Sequence, residues 1–231
     1  NGFSTGVIAG GMSSDIWNTL WSVDFFGDSI VSGTLPLYTE RLNVPQGGTL
    51  WVSDIVGAIT IGPLVALIGW DLGYQLWVVF NATFLGWCTH FFAVDLGAKE
   101  GAWIAGLGVL CSGVFLSGIQ NGASEGITIF WLVLSLWMVW RATYEKSNWK
   151  KSVVISIVGG LSSWYSALIL GIFWLCLFVH LRRKKIIIGL IVWCVSLIPW
   201  AILAHRSSTG SDNLVRIKSG KLMDQVRRSI G

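Results

Sequence analysis

Thirty consecutive residues, Ser152 to Leu181, contain no Asp, Glu, Lys or Arg, and between Gly101 and Trp140 the only charged residue is Glu125. About 20 apolar helical residues cross the hydrocarbon core of a bilayer. Runs of this kind therefore predict an all-α, polytopic transmembrane helical bundle. Composition agrees: of 231 residues, 53% are hydrophobic and 12% charged, about half the charge of an ordinary soluble domain. Fifteen Trp and 28 Gly match the interfacial tryptophans and tolerated glycines of membrane helices.

The net charge of +4 is no nucleic-acid footprint, because the cations fall in short clusters between apolar runs. Arg141, Lys146, Lys150 and Lys151 form one, and Arg182, Arg183, Lys184 and Lys185 another. Basic loops resist translocation, so both clusters read as cytoplasmic. Cys88, Cys111, Cys176 and Cys194 lie in apolar runs without metal-type spacing and read as small buried hydrophobes. The chain opens on Asn1 and ends on Arg-Arg-Ser-Ile-Gly. It reads as a fragment with at least one further span before it, and shows no signal peptide or lipidation motif.

Three regions follow. Residues 1–50 read as an external loop with interfacial helices, 51–205 as a transmembrane module of about seven apolar segments, and 206–231 as a basic tail. Within 14–31, Ile16, Trp17, Leu20, Trp21 and Val23 recur at helical spacing opposite Asp15, Asn18, Thr19 and Ser22. That pattern is too polar to span and suits a helix lying in the interface. The apolar segments are 51–69, 76–94, 101–118, 125–141, 152–164, 165–181 and 186–204. As one straight helix, the run 152–181 would be about 45 Å long and would put the two basic clusters on opposite sides. Two short helices meeting at Ser162-Ser163-Trp164-Tyr165 keep both clusters on one side. Counting backwards, one earlier segment must be half-length or re-entrant if residues 1–50 are external. Segment 51–69, with Asp54, Gly57, Gly62 and Pro63, suits that part.

Among ionisable residues, Asp15 is either the N-cap of the first helix, with Ser13 and Ser14 as rivals, or a general base at the membrane surface. Asp24 and Asp28 read as a solvated edge, and Asp54 and Asp71 as exposed ends of an apolar segment. Glu125 opens a charge-free run, either as a first-turn acid meeting the helix dipole or as a cavity-facing group. His90 and His180 read as packing residues. No metal-binding His-Glu-x-x-His or phosphate-binding glycine loop occurs.

The order of "SDIWNTLW", "SGTLPLYTERLNVPQGGTLW", "DIVGAITIGPLVALIGWDLGYQL", "NGASEGITIFWLVLSLWMVWRA" and "GGLSSWYSALILGIFWLCLF" resembles the N-terminal module of bacterial integral-membrane glycosyltransferases of the GT-C type. The resemblance covers roughly residues 10–205. It implies transfer of a sugar from a polyprenyl-phosphate carrier to an acceptor on the external face of the inner membrane. It also implies that Asp15, matching the acid of the first external loop, is the general base. Trp164 and Tyr165 fall at the short-helix junction that faces the cavity in this class. Arg41, His205 and Arg206 are the cations available to a lipid phosphate, and Glu125 is a further candidate ligand to substrate. A divalent metal held by carboxylates is the one cofactor the chemistry invites. A transporter with a broken-helix midplane site, or a non-catalytic scaffold of the same fold, are the alternatives.

Overall fold

The computed structural model describes residues 14–34, 38–39, 48–49, 54–144 and 147–205, without the side chains of 14–18, 38–39, 48–49 and Asp71. The described residues form a helical bundle with one two-residue antiparallel β pairing, β1 (Tyr38–Thr39) with β2 (Gly48–Thr49). The helices are α1 (Ser14–Val31), α2 (Ile55–Ile68), α3 (Trp70–Asp95), α4 (Ala102–Leu110), α5 (Gly113–Asn121), α6 (Ser124–Ile127), α7 (Phe130–Thr143), α8 (Trp149–Ser162) and α9 (Trp164–Leu181). A tenth, α10, covers Lys184–His205. Four stretches are long and apolar enough to cross a membrane: Leu72–Asp95, Ala102–Asn121, Trp164–Leu181 and Lys184–His205. The chain is an integral membrane protein.

Burial confirms the solvent. Leu67, Leu72, Val79, Trp103, Leu116, Leu168, Ile172, Val179, Ile191 and Val195 are exposed, whereas Ser135, Ser152, Ser156, Ser162 and Thr128 are buried. Leucine and isoleucine face outward because lipid tails are as apolar as they are, and helices associate instead through small residues and hydrogen bonds. A Cβ on Gly106 would stand 2.8 Å from the Gly86 carbonyl oxygen, and one on Gly118 would stand 2.8 Å from Gly126 Cα. Backbones approach there because neither residue has a side chain. Ser135 joins α7 to α8 by donating to either Trp131 or Ile155, whose carbonyls lie 2.6 and 3.0 Å away. Of the four cysteines only Cys88 is buried; Cys111, Cys176 and Cys194 are exposed. Their apolar runs cross the bilayer with that face turned to lipid, which sequence cannot distinguish from a core face.

One end of the bundle is basic. Asp95 accepts the Trp137 indole N–H at 2.8 Å and pairs with Arg141 at 3.3 Å, outside hydrogen-bond geometry. Arg183 donates to the Thr143 carbonyl at 2.9 Å, so the α7–α8 and α9–α10 junctions sit at the same end. The charge-free run is indeed two helices. Ser163 breaks it in extended backbone and caps α9 by accepting the Tyr165 N–H at 3.2 Å.

The opposite end carries the α2–α3, α5–α6 and α8–α9 turns. Gly122 permits the α5–α6 turn with φ 68°, a conformation most side chains resist. Helix α1 lies across this end. Its Thr19 hydroxyl donates to the Gly122 carbonyl at 2.8 Å, and its far end, Val31, shares a cleft with Val65, Ala66 and Trp70 near the α2–α3 turn. Leu20, Val23, Phe25 and Phe26 are its buried face. Thr19, placed by periodicity on the polar side, is buried as well, because the Gly122 carbonyl satisfies its hydroxyl. Helix α2 runs beneath α1 in the same sense: Phe25 and Phe26 pack on Ala58, and Gly27 meets Gly62. At 14 residues each, about 21 Å, α2 and α7 both fall short of the length that crosses a membrane; for α7 this differs from the span expected over 125–141.

Candidate functional site

The acid most deeply built into this end is Asp54, and the reading of it as an exposed helix end is corrected: it is 1% exposed. It caps α2, with Oδ1 accepting the Gly57 N–H at 2.6 Å. A loop residue at the first turn of an apolar helix is expected at the surface. Here the helix starts inside the bundle, against α6 and α8 rather than at water. Oδ2 stands 2.9 Å from the Thr128 hydroxyl, which is also 2.9 Å from the Ser124 carbonyl.

That hydroxyl has one proton to give. An ionised Asp54 competes with the Ser124 carbonyl for it. A neutral carboxyl removes the conflict: its own proton goes to Thr128 Oγ1, whose proton goes to Ser124.

Glu125 stands in the first turn of the four-residue α6. It lines a cavity of 350 Å³ together with Ser117, Asn121, Ser163 and Tyr165. Two of the residues named from sequence, Glu125 and Tyr165, thus share one hollow between α5, α6 and α9. Trp164 is 59% exposed and meets Trp200 of α10 edge-on at 6.3 Å. His205 is exposed at the last position of α10. Neither lines that cavity. Asp15 lies in the first turn of α1, one helical turn before Thr19, but its side chain falls outside the described residues, as do Arg41 and Arg206 entirely.

A second hollow, a cleft of 500 Å³, lies between α1 and α2. Asp24 and Asp28, four apart and both exposed as expected, border it with Ser32, Gly62 and Trp70. Spacing of four puts both carboxylates on one helix face. Among the described residues no three His, Cys, Asp or Glu side chains come together as a metal site. No step below passes through a metal.

Comparison with protein-family models, with curated proteins and with solved structures returns no match to this chain.

Asp54 and Thr128 are what sequence reasoning missed. A signal existed: an acid three residues before a glycine, opening an apolar helix too short to cross, has no reason to be solvated at both ends of that helix. Thr128 has no such signal, since its partner is 74 residues away.

Proposed function

We propose that this chain is the catalytic end of a bacterial membrane glycosyltransferase of the GT-C type. It moves a sugar from a polyprenyl-phosphate donor to an acceptor hydroxyl at the outer face of the inner membrane. The observation that carries the reading is the Thr19–Gly122 hydrogen bond. It ties α1 to the α5–α6 turn, so the start of α1, which contains Asp15, and Glu125 belong to one end of the bundle, opposite the basic loops. A donor whose lipid stays in the bilayer and whose sugar stays in water meets its acceptor at such a place.

In this reading Asp15 accepts the proton of the acceptor hydroxyl as that oxygen attacks the anomeric carbon. The bond from that carbon to the phosphate oxygen breaks, and the electron pair leaves with the phosphate. Holding the two reactants in line supplies much of the acceleration. Glu125 and Tyr165, which both line the 350 Å³ cavity, hydrogen-bond the sugar hydroxyls. Arg41 and Arg206 are the cations proposed for the phosphate.

The test uses the full-length protein in proteoliposomes with a radiolabelled polyprenyl-phosphate-hexose. Asp15→Asn is expected to lower transfer by about 10²–10⁴-fold, the range of a lost general base, with insertion and melting temperature unchanged. Transfer at the wild-type rate rejects Asp15 as base.

One observation favours a transporter instead. Half-length α2 begins on buried Asp54, and Tyr74 and Asn81 of α3 each bury a polar oxygen without a hydrogen-bond partner. Buried acids beside broken helices are where transporters bind coupling ions. Proton uptake by the same proteoliposomes, abolished by Asp54→Asn while Asp15→Asn leaves it intact, would select that reading.

A further inference from the structure

The basic end holds a third cavity that neither reading above uses. It measures 340 Å³ and lies among α7, α8, α9 and α10, bordered by Trp149, Trp174, Arg183, Lys184 and Lys185 over an apolar floor that includes Val139 and Ile186. Among the described residues no carboxylate lines it. Arg183 spends one N–H on the Thr143 carbonyl, and none of these three cations has a carboxylate partner among the described residues. Lys184 and Lys185 are, moreover, the first two residues of the 22-residue α10. The helix dipole is positive there, so cations in the first turn are unfavourable unless an anion offsets them.

Three cations around one hollow over an apolar floor call for a compact, oxygen-rich anion. The surroundings identify its source: past Ile186, α10 presents Ile188, Ile191 and Val195 outward, so the cavity stands where protein, water and acyl chains meet. A volume at the small end of ligand sites suits a headgroup rather than a nucleotide.

We infer that this cavity binds the phosphate headgroup of an anionic membrane lipid, independently of any reaction at the opposite end. Cationic pockets between membrane helices hold such headgroups through charge-assisted hydrogen bonds.

The full chain in neutral detergent micelles tests this by thermal shift, titrated with phosphatidylglycerol, with phosphatidylcholine or with inorganic phosphate. Phosphatidylglycerol is expected to stabilise the protein and the other two are not. The Lys184→Gln/Lys185→Gln pair should weaken the phosphatidylglycerol midpoint by about thirtyfold, the summed loss of two near-surface Lys interactions. Lys150→Gln/Lys151→Gln removes the same charge from exposed positions outside the lining and should change it less than about twofold. Equal losses in the two lysine pairs would reduce the effect to diffuse surface charge and overturn the site. An equal shift with inorganic phosphate would assign the cavity to a soluble anion and overturn the lipid.

Discussion

Asp54 shows how a single residue can be misjudged from its neighbours in sequence. Along the chain it follows a loop and opens an apolar helix, which reads as an exposed end, whereas its contacts with the Gly57 N–H and the Thr128 hydroxyl set it inside the bundle. Gly159 makes the converse point, where the side chain that is missing decides packing. A Cβ there would overlap Ser135 Oγ and approach the Trp131 carbonyl oxygen to 2.9 Å. Gly159→Ala should cost about 1–3 kcal/mol, as overpacking does. Adding Ser135→Ala should recover part of the loss in a double-mutant cycle, and strict additivity would place the strain elsewhere.

At the scale of elements, the periodicities carried far. The apolar runs 76–94 and 186–204 became α3 and α10, and the break at Ser162-Ser163 was legible because thirty apolar residues exceed one bilayer crossing. Ser163 as cap of α9 is a local signal, since its hydroxyl needs only the Tyr165 N–H two residues on. Ser163→Ala should destabilise by about 1 kcal/mol, the usual worth of such a cap, read as a lower melting temperature. An unchanged value would mean that packing around Trp164 and Trp200 alone fixes the junction. What periodicity could not give was depth. Helix α2 has the hydropathy of a span, yet contacts with α1 and α8 hold it as a half-length piece. Thr19 sits on the polar side of α1 by pattern and is buried by its bond to a carbonyl 103 residues away.

For the whole molecule, the paired basic junctions at one end and α1 across the other give an orientation. The positive-inside tendency of membrane proteins leads us to propose that the basic junctions face the cytoplasm and α1 the opposite side. Single cysteines at Ser14 and Ser147, labelled with a membrane-impermeant maleimide in intact cells and in inverted vesicles, should react from opposite sides. Labelling from the same side would remove the external site on which sugar transfer depends.

By itself the sequence determined the solvent and the class. Long uncharged runs can be satisfied in few ways, and the spacing of cations fixed which turns share an end. Only the tertiary structure decided which polar groups meet. The Asp54–Thr128 contact, the hollow shared by Glu125 and Tyr165, and the cationic cavity at Lys184 join residues from separate helices. In a bundle whose outside is as apolar as its inside, burial leaves no hydropathy trace along the chain, so the face each helix turns inward emerges only when the helices pack.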